Sequence, residues 1–152
     1  MTAHLSHESA FPDYWEEALL YLSERDPVMS RLIERYRHVE FSAHESVITS
    51  ILRAIVGQQI SNKAAATLWR RLCHLKQGRW DSFIMVTPIN ALRSLGLNPR
   101  KIAAMKEVAW RFVCGQWTEE GFARMDDAMV SRAIESIRGL GPWSAMSVLI
   151  FA

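Results

Sequence analysis

Four times in this chain a proline stands where a helical pattern opens: Asp26-Pro27, Thr87-Pro88, Asn98-Pro99 and Gly141-Pro142. Proline has no N–H to lose in a first helical turn, and its φ is already helical, so each pair reads as a helix start. Between these points apolar residues recur at i, i+3, i+4 and i+7 rather than alternating. Trp15, Leu19 and Leu22 form one stripe, with Asp13 as its cap. Ile48, Ile51, Leu52, Ile55 and Val56 form a wider one. It follows a capping box, SAHE at 42–45, and Gly57 ends it. Ser61 caps a stripe of Ala65, Leu68, Trp69 and Leu72, and Gly96 closes the short helix that Thr87-Pro88 opens. Asn98 opens Ile102, Met105, Ala109 and Phe112; Asp126 or Asp127 opens Val130, Ile134 and Ile137. The one strand-like run, SFIMV at 82–86, has no partner strand. The fold class is therefore all-α: about eight helices joined by short loops, with no internal repeat.

The 152 residues are 49% hydrophobic and 22% charged, which suits one folded domain and excludes a disordered chain. Residues 1–12 read as a flexible lead and 13–152 as one helical domain, its weakest break at 74–81. No apolar run approaches the roughly 20 residues that span a bilayer, and the N-terminus lacks a signal-peptide pattern. A cytoplasmic protein with no membrane partner is the expectation. Cys73 and Cys114 stand alone without a CxxC, so neither a zinc site nor a disulfide framework is indicated.

The net charge of +2 conceals an asymmetry. Residues 1–50 carry −5, residues 51–100 carry +7 and the remainder is neutral. Seen alone, the basic middle is either a solvated surface or a face for a polyanion. The stretch IRGLGPWSA (137–145) bears on that choice. Gly139 and Gly141 allow a tight reversal between two helices, and Pro142 opens the second. Such a turn either joins helices and nothing more, or aims free N–H groups of a helix N-terminus at an anion such as a DNA phosphate.

IRGLGPWSA resembles the hairpin of the helix-hairpin-helix DNA glycosylases that continue into a Gly/Pro-rich loop and an aspartate. Within them it is most similar to the DNA-3-methyladenine glycosylase II branch, which carries an LxGIGxWTA-type motif there. AIVGQQISNKAAATLWRRL (54–72) resembles that branch's IxGQQxSxKAA segment. LRSLGLNPRKIAAMKEVAWRF (92–112) is similar to its GLSxRKAxYI helix, and DYWEEALLYLSERDPVMSRLI (13–33) also fits.

The resemblance implies a base-excision repair enzyme, expected to be a monomer, that hydrolyses the N-glycosidic bond of alkylated purines such as 3-methyladenine in duplex DNA. Such enzymes flip the damaged nucleotide out and fill the gap in the stack. Gln58 and Gln59 match the loop that supplies the wedge, Gln59 at the wedge position; the other reading is that they cap or bridge helix ends. Gly139, Leu140, Gly141 and Ser144 match the DNA-binding hairpin. The main-chain carbonyls of Glu135, Ile137 and Leu140 match ligands of a sodium or potassium ion, and no organic cofactor is implied. Trp143 and Ser147 match the base pocket, where an aromatic face attracts a cationic purine; Trp143 reads otherwise as core packing at a helix start. Where bifunctional relatives have a lysine nucleophile this chain has Trp143, so monofunctional hydrolysis is expected. Ser147 replaces a pocket aromatic of some members, which leaves base preference open.

The family's aspartate falls beyond Ala152. Asp126 and Asp127 precede the hairpin and read as helix caps. The last apolar helix stops without a cap, so the expectation is a fold incomplete at its C-terminal end, with no catalytic residue in the 152 and no excision by them. The alternative is a non-catalytic DNA-binding protein or an inactive remnant.

Overall fold

The computed structural model describes residues 14–39 and 46–152 and contains ten helices among them. The cap expected at Asp13 and the capping box at 42–45 lie outside the described residues. The chain forms two compact units, residues 1–43 and 44–152.

The first unit holds α1 (Trp15–Arg25) and α2 (Pro27–Tyr36) packed on each other. Asp26 caps α2 as expected, its carboxylate accepting the Val28 and Met29 N–H groups at 2.7 and 3.2 Å.

The second unit is built around α3 (Val47–Gly57). Ser46 caps it, accepting the Thr49 N–H at 3.3 Å. The remaining N–H groups at this end reach a carboxylate far along the chain. Glu119 accepts Val47 N at 2.9 Å and Ile48 N at 3.5 Å, the stabilising sign of charge for a helix N-terminus. Ile51, Leu52 and Ile55 are completely buried. At roughly 1.5–3 kcal/mol for each large aliphatic side chain, this one helix supplies much of the core.

Around α3 lie α4 (Asn62–Leu75), α5 (Trp80–Val86), α7 (Pro99–Val113) and α10 (Pro142–Phe151). The run SFIMV folds as part of α5, where Phe83 and Ile84 are buried. Helical i, i+1 burial on two neighbours overrides the β-rich composition of a short segment. The connection at 74–81 is no boundary: Trp80 is buried and its ring lies 4.9 Å from that of Trp69.

Short α6 (Ile89–Ser94) begins after Pro88, while Thr87 closes α5 by donating its hydroxyl to the Phe83 carbonyl at 2.6 Å. Asn98 caps α7 through the Lys101 N–H at 2.9 Å. Two lysines of α7 then close other helices. Lys101 Nζ donates to the Val56 carbonyl at 2.8 Å, and Lys106 Nζ donates to Met85 and Thr87 carbonyls at 2.9 and 2.7 Å. Cations suit these C-terminal carbonyls, although burial pushes both ammonium pKa values below the usual lysine value. After α8 (Glu119–Ala123), Asp126 caps α9 (Asp127–Glu135), accepting the Met129 N–H at 2.7 Å.

Helices α3 and α10 run antiparallel. Ser50 near the start of α3 donates to the Phe151 carbonyl at 3.1 Å, and Gln58 just past its end reaches Ser144. That pairing sets the 58–61 loop beside the turn that precedes α10. No helix among the described residues is long and apolar enough to cross a membrane.

Candidate nucleic-acid interface

The turn between α9 and α10 is anchored from below. Ile137 and Leu140 are buried, and the Leu140 N–H donates to the Ile137 carbonyl at 3.0 Å. Gly139 sits between them at φ +95°, a region that L side chains rarely adopt. Gly141 differs: its φ of −137° is ordinary extended backbone, and a Cβ there would meet nothing within 4 Å. As N-cap of α10 it accepts the Ser144 and Ala145 N–H groups at 2.9 and 3.1 Å. The N–H groups of Gly139, Gly141 and Trp143 donate to no partner among the described residues. Three backbone donors, one of them in the first turn of α10, thus lie without partners along one exposed turn, an arrangement suited to an oxyanion.

The GQQIS segment is held against this turn. Gln58 closes α3, and its Nε2 donates to the Gly139 carbonyl at 2.9 Å and to Ser144 Oγ at 3.2 Å. Ser144 itself is buried, so its hydroxyl faces the protein interior. Gln59 is exposed and has φ +57°, the one positive φ outside glycine among the described residues. Such a conformation in a residue with a Cβ needs its surroundings to hold it. Gln58 does so on one side. On the other, Ser61 caps α4 by accepting the Ala64 N–H at 3.3 Å.

Trp143 is 61% exposed, with its ring edge 4.0 Å from where a Cβ on Gly57 would stand. It is not core. Met146 and Ile150 are exposed on the same helix at following turns. Ser147, half-buried, donates its hydroxyl to the Trp143 carbonyl at 3.0 Å, so that donor is used within the helix.

Of the basic middle, Arg53, Lys63, Arg70, Arg71, Arg93 and Arg100 are exposed. Arg79 is instead paired with buried Asp81 at 2.9 Å. Sequence reasoning passed over exposed Arg138, which stands in the turn beside Gly139. It also passed over Lys101, which holds the end of α3 from which the 58–61 loop departs. A basic residue next to the first glycine was a visible signal; the reach of Lys101 across to Val56 had none.

The structure thus brings the two motifs into direct contact across 81 and 86 residues of sequence. No family model matches the chain. DNA-3-methyladenine glycosylase 1 of Schizosaccharomyces pombe is 24% identical to it over 159 residues, covering 100% of this chain and 70% of that protein. The solved structure of the S. pombe enzyme in complex with abasic DNA superposes with a TM-score of 0.78 at 25% identity, covering 89% of this chain and 69% of that one. The chain is thus similar in sequence and in fold to 3-methyladenine DNA glycosylases. The putative DNA-3-methyladenine glycosylase YfjP of Bacillus subtilis is 24% identical over 147 residues, of which this chain spans 51% of the length. A 3-methyladenine DNA glycosylase from Archaeoglobus fulgidus shares the fold, with a TM-score of 0.72 at 24% identity over 90% of this chain and 50% of that one. The all-helical glycosylase fold read from the sequence is the fold observed.

Proposed function

We propose that this chain is the DNA-gripping and lesion-probing body of a monofunctional glycosylase that removes alkylated purines such as 3-methyladenine from duplex DNA. The observation that carries the reading is the joined pair of motifs: a turn with free N–H donors, bound through Gln58 to a loop that thrusts Gln59 outward.

Each part has a task. The N–H groups of Gly139, Gly141 and Trp143 take a backbone phosphate, and a positive Arg138 beside them adds long-range attraction. Gln59 enters the stack where the damaged nucleotide has left it, replacing lost stacking contacts. The exposed Trp143 ring receives the flipped base. An alkylated purine carries positive charge, which an indole face attracts by roughly 0.5–2 kcal/mol. Ser147, one turn along, borders that pocket. The positive base is already a good leaving group: the C–N bond breaks with its electron pair going to the base, and water adds to the sugar carbon and gives up a proton. No general acid and no organic cofactor is needed for that.

The turn also fits a monovalent cation, sodium or potassium. The Ile137 carbonyl accepts one N–H, which leaves it a second lone pair, and the Glu135 and Leu140 carbonyls accept no hydrogen bond among the described residues. A cluster of main-chain carbonyls is a suitable ligand set for such an ion. Bound there, it would add positive charge beneath the phosphate.

The carboxylate that steadies the developing sugar cation in the family is assigned to no residue of this chain, and residues 136–152 contain none. The decisive test is release of 3-methyladenine from methylated duplex by protein from its native source, with its intact mass measured on the same sample. Free base and matching abasic sites are expected. A preparation that releases none and shows no preference for damaged duplex over intact duplex contradicts the reading.

A further inference from the structure

We infer that Gln58 is a positioning residue, a strut through which the phosphate-binding turn sets the attitude of the probing residue Gln59. The inference rests on the proposed function above, and it separates two adjacent glutamines into different roles.

Gln58 is not free to enter DNA. Both hydrogens of its Nε2 have acceptors, the Gly139 carbonyl at 2.9 Å and Ser144 Oγ at 3.2 Å. Ser144 is 2% exposed, and no buried side-chain polar atom among the described residues lacks a partner, so the bond also satisfies a hydroxyl that water cannot reach. Gly139 thereby has two faces. Its N–H is without a partner among the described residues, while its carbonyl holds Gln58. A phosphate drawn onto the Gly139 N–H acts on the peptide unit next to the one whose carbonyl grips the glutamine. The next residue along is Gln59, in a left-handed conformation that depends on fixed neighbours. Direct contacts run from the turn to Gln58, and Gln59 is the next residue of the chain.

Gln58→Met tests this, because methionine matches the length and apolar volume of glutamine and donates nothing. In the 152-residue chain, three quantities are compared with wild type and Gln59→Ala: melting temperature, affinity for an undamaged duplex, and affinity for a duplex with a tetrahydrofuran abasic analogue. Fluorescence of a 2-aminopurine beside the analogue reports unstacking. Gln58→Met should lower lesion preference, the ratio of abasic-duplex to undamaged-duplex affinity, by about tenfold, with the 2-aminopurine signal falling as in Gln59→Ala. The double variant should lose no more than either single one, because the two residues act in series. Ser144→Ala, which removes one of the two bonds, should show a smaller loss of the same kind.

If Gln58→Met retains lesion preference while Gln59→Ala loses it, the strut is refuted and the probing role of Gln59 stands. If Gln59→Ala is silent as well, the probing role fails and the strut falls with it. A Gln58→Met variant that loses melting temperature and undamaged-duplex affinity together would make Gln58 merely structural and overturn the inference.

Discussion

Gly139 and Gly141 are two residues apart and answer to different constraints. Gly139 has φ +95°, where an added Cβ strains the backbone by roughly 1–2 kcal/mol. Gly141 has ordinary extended geometry and open space around its Cα. Nothing among the described residues requires glycine at 141, whereas close approach of a phosphate to the backbone would. Gly139→Ala is therefore expected to lower both the melting temperature and DNA affinity. Gly141→Ala should leave melting unchanged and weaken binding severalfold. Thermal unfolding and duplex titration of the two variants decide it, and a Gly141→Ala protein with full affinity would argue against backbone contact at that position. At this scale the sequence was informative about chemistry and mute about direction. GQQIS and GLGPWSA mark the two segments that the fold brings into contact. The resemblance puts Gln59 at the wedge position, but nothing in the motifs shows that Gln58 turns in toward partners more than 80 residues away.

At the scale of elements, caps were the most legible feature because a cap is a local bargain between neighbours. Asp26, Ser61, Asn98 and Asp126 all sit where their spacing to the next apolar stripe puts them. Helix ends that rely on distant groups were not legible: Glu119 closes the start of α3 and Lys101 its end. Helix α5 combines both kinds. The Arg79 guanidinium beside Asp81 holds that carboxyl below its usual range; burial opposes the shift, and the Ser82 N–H assists it. A carboxyl whose pKa is lower in the folded state contributes stability above its unfolded value near 3.9, and that contribution is lost as pH falls through the folded value. Acid unfolding should accordingly steepen below the ordinary carboxylate range. Asp81→Asn should flatten that part of the stability curve, which melting temperatures measured between neutral pH and strong acid would reveal. A curve unchanged by the substitution would place the acid sensitivity elsewhere.

Across the molecule, an excess of +7 in residues 51–100 sits on the same compact unit as the turn and the probing loop, and most of those cations are exposed. Charge count alone leaned toward a solvated surface and left a polyanion face open. The contact between the two motifs favours the second under the proposed function, which sets the turn and the loop on one ligand. The measurement that tests this most directly is titration of the protein against matched duplexes, one intact and one with a tetrahydrofuran abasic analogue, over a series of salt concentrations. The account predicts tighter binding to the abasic duplex at every salt concentration. It also predicts a linear fall of log affinity with log salt as phosphate contacts release counterions. Equal affinity for the two duplexes, or binding indifferent to salt, would contradict it.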